Sequence, residues 1–145
     1  MRLLLSATLL LAPLAAMAQD APAGTAIERV TLAPGESASF TLAPGFDHQL
    51  LQKAAPGARG AITIRYQSAG GGSRITAVSH TGYPTKFTVL ADPDGNGGFE
   101  PAGDIDLPGD GTPATRNWPS ALGTVNVGDF QGGPHGTHEH QPSGD

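Results

Sequence analysis

The stretch AITIRYQSAGGGSRITAVS, residues 61–79, decides the fold class. Ile62, Ile64 and Tyr66 alternate with Ala61, Thr63 and Arg65. After Gly70-Gly71-Gly72, Ile75, Ala77 and Ser79 alternate with Thr76 and Val78. Successive side chains of a strand point to opposite faces, so a period of two with β-branched residues reads as two half-buried strands joined by a turn.

The same pattern extends in both directions. Upstream, Val30 and Leu32 precede Pro34-Gly35, and Ala38, Phe40 and Leu42 precede Pro44-Gly45. The segment from Phe46 to Lys53 is ambiguous, since Leu50 to Ala55 fits one helical turn as well as a strand. Downstream, Gly82-Tyr83-Pro84 breaks the pattern, and Phe87 with Val89, Ile105 with Leu107, and Val125 with Val127 resume it. No long segment has the 3.6-residue period of a helix. About seven or eight short strands, with turns every 8–12 residues or so, predict a single antiparallel β-sandwich, immunoglobulin-like or jelly-roll-like. The expected core is Val30, Leu32, Phe40, Leu42, Ile62, Ile64, Tyr66, Ile75, Phe87, Val89, Ile105, Leu107, Val125 and Val127.

The chain has 145 residues, enough for one domain, and no cysteine. Disulfides, cysteine-based zinc, blue-copper and iron–sulfur sites, thiol catalysis and a lipidated N-terminal cysteine are therefore excluded. The net charge of -5 argues against a nucleic-acid partner.

Met1-Arg2, the apolar run from Leu3 to Leu14 and Ala16-Met17-Ala18 read as a signal peptide over residues 1–18, cut before Gln19. The run is shorter than the roughly 20 apolar residues of a membrane span, so no span is expected in the mature form. The expected location is secreted or periplasmic. The remaining chain divides into a flexible lead-in at 19–24, the sandwich domain at 25–130 and a tail at 131–145. That tail has no aliphatic residue to bury and is expected to be disordered.

Asp92-Pro93-Asp94-Gly95-Asn96-Gly97-Gly98-Phe99-Glu100 carries side-chain oxygens at its first, third, fifth and ninth positions. Calcium takes about six to eight oxygens, and alternate residues of a tight loop can turn theirs inward together. The candidate ligands are Asp92, Asp94, Asn96, Glu100 and the carbonyl of Gly98, with Gly97 permitting the bend. In outline the stretch resembles the calcium loops of FG-GAP repeats in β-propellers. It also resembles the first half of an EF-hand loop, although the twelfth position is Gly103 rather than Glu. The resemblance covers nine residues and implies a calcium ion, not a propeller. Asp, Asn, Gly and Pro are also the ordinary residues of a hairpin turn that needs no ion.

His135, His138 and His140 form a candidate weak site for zinc, copper or nickel in the tail. Both methionines, Met1 and Met17, lie in the leader, so the mature chain offers no thioether to Cu(I). No hydrolase elbow, His-Glu-x-x-His, phosphate loop or dinucleotide fingerprint occurs. Ser79, His80 and Asp92 make a triad only on paper, and catalysis is not expected. Trp118, Tyr83 and Phe99 lie in or beside turns, where aromatic rings can stack on sugars; Trp118 also suits a plug at one end of the sandwich. The sequence thus predicts a non-enzymatic binding or structural module. Transition-metal handling by the tail and carbohydrate or envelope binding are the alternatives, and the partner is an unknown protein or glycan.

Overall fold

A computed structural model describes residues 27–44 and 49–133. They form nine strands and no helix: β1 (Arg29–Leu32), β2 (Ser37–Pro44), β3 (Gln49–Lys53), β4 (Ala61–Ala69), β5 (Gly72–Ser79), β6 (Thr85–Asp92), β7 (Glu100–Leu107), β8 (Ala114–Trp118) and β9 (Thr124–Gln131). Two antiparallel sheets pack face to face as a sandwich. One has the order β3-β2-β4-β5-β8 and the other β1-β9-β6-β7. The chain crosses between them after β1, β5, β7 and β8.

The central hairpin forms as its alternation dictates. Ile62 pairs with Ser79, Ile64 with Ala77 and Tyr66 with Ile75, so one face of β4 and β5 is buried and mainly apolar, with Ser73 and Ser79 at its two ends. The turn is tighter than the glycine run suggests, because Gly72 already belongs to β5. Gly70 and Gly71 have φ values of 57° and 84°, the paired positive angles of a type I′ turn.

Twelve of the fourteen expected core residues are buried, and Val30 and Leu42 pack partly exposed against them. The core also holds Leu51, Leu122 and Phe130. Leu51 settles the ambiguous segment: β3 is a strand, with Leu51 paired to Leu42 and turned inward. Phe130 joins the layers, its ring edge-on to Phe40 of β2 at 5.2 Å and stacked on Phe87 of β6 at 5.3 Å.

Two strands differ from expectation. β7 begins at Glu100 rather than at Ile105, and β8 is an additional strand. β7 is an edge strand with a bulge, since Val89 pairs with Gly103 and Leu90 with Pro101, leaving Ala102 unpaired. Proline is tolerated there because an edge strand and a bulge both leave N–H positions outside the ladder. Asp129 occupies a left-handed conformation (φ 52°) at a second irregularity, where β9 carries an extra residue against β6. Aspartate tolerates that geometry better than most residues.

Candidate functional site

Strand register places four connections at one end of the sandwich: β1 to β2, β4 to β5, β6 to β7 and β8 to β9. The Asp-rich loop is the β6 to β7 connection. Asp92 ends β6 and is 4% exposed, although it is an acid. Its Oδ1 accepts the N–H of Asn96 at 3.2 Å and its Oδ2 accepts the N–H of Gly97 at 2.8 Å. Asn96 Oδ1 in turn accepts the N–H of Gly98 at 2.7 Å. A buried carboxylate stays in place only when hydrogen-bonded, and here the loop's own amides supply the bonds. The hairpin therefore closes on Asp92.

Asp94 and Glu100 are exposed, as are Asn96 and Gly98. Among the described residues no three His, Asp or Glu side chains converge to hold a metal ion. Asp104 and Asp106 lie on the outward face of β7. The Thr88 hydroxyl, bonded at 2.9 Å, holds the Asp104 carboxyl below the usual carboxylate range, and Lys86 at 3.3 Å adds to this. Asp110 is held low by the hydroxyl and the N–H of Thr112, at the other end of the sandwich. His135, His138 and His140 lie outside the described residues, as do the leader, residues 19–24 and the tail beyond residue 133. Gln131, the first residue of the expected tail, is the last of β9.

The β8 to β9 connection braces the Asp92 hairpin. Gly123 forms a parallel bridge with Asp92. The hydroxyl of buried Tyr66 donates to the Gly123 carbonyl at 2.8 Å, and the Leu122 N–H donates to Ser73 Oγ at 2.9 Å. Tyr66 thus carries a polar anchor at the floor of this end, which its place in an apolar alternation does not reveal.

The two lateral rims of the sandwich are also tied. On one side Arg116 Nη1 donates to the Asp104 carbonyl at 2.6 Å, and Trp118 Nε1 donates to the Ala102 carbonyl at 3.0 Å. The Arg116 guanidinium lies 5.3 Å from the Trp118 ring centroid. Both side chains reach from β8, the edge of one sheet, to the unpaired carbonyls of β7, the edge of the other. Such cover blunts an exposed edge. Trp118 therefore closes the rim at its end of the sandwich. Replacing Trp118 by phenylalanine keeps one aromatic ring and removes the pyrrole half of the indole with its hydrogen bond, so a loss of about 1 kcal/mol is expected from the bond alone. A thermal melt should record it as a fall of roughly 4–8 °C. On the opposite side Ile27 pairs with Leu51 of β3, with hydrogen bonds of 3.3 and 2.7 Å, just before the chain enters β1 in the other sheet. Gln49 Nε2 donates to the Gly132 carbonyl there.

The structure separates residues that the sequence set beside one another. Ser79 and His80 stand at one end and Asp92 at the other, with the eight residues of β6, roughly 25 Å of strand, between the two ends. Ser79 Oγ is bonded to Thr81 instead. Tyr83 and Trp118 also lie at opposite ends, so they do not form one stacking platform.

No protein-family model matches the chain, and neither does any curated protein. Among solved structures, the chain is similar to the Avr2 effector protein from the fungal plant pathogen Fusarium oxysporum. The two are 15% identical over 70% of this chain and 88% of that one, with a TM-score of 0.36. A likeness of that size has no bearing on function.

Proposed function

We propose that the chain is a secreted or periplasmic, non-enzymatic binding or structural module, with the Asp92–Glu100 hairpin as the place where calcium adds stability. The placement of Asp92 carries this reading. A carboxylate has about four lone-pair sites, and two loop amides fill two of them. The remaining two belong to a buried anion at the base of a loop that also bears Asp94 and Glu100. Calcium binding then requires Asp94 and Glu100 to turn toward Asp92, a movement confined to one exposed hairpin.

The test uses protein recovered from the exported fraction, which the signal peptide predicts to begin at Gln19. At ten times its dissociation constant, calcium contributes about 1.4 kcal/mol, which raises the melting midpoint by roughly 6–11 °C. Asp94→Ala is expected to abolish that gain while leaving the calcium-free midpoint unchanged. No shift with calcium in the unsubstituted protein removes the ion from the proposal.

A further inference from the structure

The two sheets differ in charge. No strand of the five-stranded sheet contains Asp or Glu, yet its strands carry Lys53, Arg65, Arg74 and Arg116. The strands of the four-stranded sheet hold Asp92, Glu100, Asp104, Asp106 and Asp129. Both cations there are ion-paired, Arg29 with Asp129 at 2.5 Å and Lys86 with Asp104 at 3.3 Å. The segregation is written into the chain, since Asp47 is the one acid between Ser37 and Ala91.

Arg65 and Arg74 stand on the outward face of β4 and β5, and both are exposed. Arg65 pairs with Thr76 and Gln67 with Arg74, so the two arginines are diagonal neighbours, about 7–8 Å apart at their backbones. Among the described residues neither is ion-paired. Arg74 Nε donates to Asn117 Oδ1 at 2.9 Å, which steadies the guanidinium and leaves its other donors available. Around them the same face presents the hydroxyls of Thr63, Thr76 and Thr115 and the amide of Gln67.

We propose that this face docks an acidic polysaccharide, a sugar polymer bearing carboxylates or sulfates. A guanidinium takes either group through a two-pronged hydrogen bond. Repeated anions along one polymer can engage both arginines together. The flanking hydroxyls and amides suit the hydroxyl groups of the intervening sugars. Among the described residues the face has no aromatic side chain on which bases could stack and no exposed large hydrophobic side chain to enter a bilayer. The strands that form the docking face carry no acid, and five acids stand on strands of the far sheet, so the local field at the two arginines favours an anion. This deepens the binding-module reading and does not depend on calcium.

The probes are immobilised polygalacturonate and heparin, with neutral dextran as control, and the mature protein in low salt without calcium. Retention on both acidic polymers, release by added salt and none on dextran are expected. The double substitution Arg65→Gln/Arg74→Gln should weaken binding by about tenfold per arginine, the equivalent of one modest hydrogen bond each. Its melting midpoint should match that of the unsubstituted protein. Lys86→Gln, on the other sheet, should bind as the unsubstituted protein does. No retention on either acidic polymer overturns the proposal. So does undiminished binding by the double variant, or tighter binding to DNA or to phosphatidylglycerol vesicles than to the polysaccharides. A blank result here with the calcium shift intact removes only the polysaccharide; binding here without a calcium shift removes only the ion.

Discussion

Truncating Phe130 to alanine is expected to cost about 3–5 kcal/mol and to lower the melting midpoint by roughly 15–30 °C. The ring is 4% exposed, the last large apolar side chain before residue 133. It touches Phe40 from one sheet and Phe87 from the other. Its removal leaves a cavity between the layers and breaks two aromatic contacts, each adding about 0.5–1.5 kcal/mol to the burial. Because folded domains are stable by only about 5–15 kcal/mol, the variant should be near its limit at ordinary temperatures. Thermal and urea melts of the mature protein measure this. A fall of only a few degrees would mean that Phe130 does not bridge the sheets.

The second large effect is expected at Gly123. Its φ is +66°, and a Cβ there would lie 2.2 Å from the Asp92 carbonyl oxygen and 2.9 Å from the Pro93 Cα. Both obstacles are backbone, and the Asp92 backbone is fixed by its pairing with β9 and its bridge to Gly123. Gly123→Ala therefore combines left-handed strain of about 1–2 kcal/mol with an overlap that costs a further 1–3 kcal/mol. A total near 3 kcal/mol lowers the midpoint by roughly 12–24 °C. Gly57→Ala isolates the strain, because Gly57 has a φ of +75° and nothing within 4 Å of its absent side chain. That control should lose about a third to two-thirds as much. Equal losses at the two positions would contradict the close packing of the β8 to β9 connection on the Asp92 hairpin.

The sequence exposes the sandwich where alternation is clean, and loses it where a rim or an edge intervenes. β4, β5, β6 and β9 pair apolar side chains on one face, and their pattern is legible without coordinates. β8 alternates too, but its inward positions are Ala114, Arg116 and Trp118, paired opposite Ala77, Ile75 and Ser73. An arginine facing inward disguises the strand, because its partner is a carbonyl on the neighbouring edge rather than apolar core. β7 is disguised by Pro101 and the bulge at Ala102. In the Asp-rich loop, the spacing of oxygens is visible in the chain, whereas the direction of the Asp92 carboxylate is not. That carboxylate points at the amides of Asn96 and Gly97, a matter of backbone geometry that spacing leaves open. The charge difference between sheets had a signal in the near-absence of acids from Ser37 to Ala91, which net charge alone averages away.

All of these assignments depend on two sheets joined into one unit, with Ile27 crossing to Leu51 at the rim. Amide hydrogen exchange of the mature protein, resolved by residue, tests this most directly. The Leu51 N–H, bonded to the Ile27 carbonyl at 2.7 Å, should exchange slowly, with core amides of β4 and β9 opening together at the global unfolding free energy. Rapid exchange at Leu51, with the two sheets opening at separate free energies, would contradict the account.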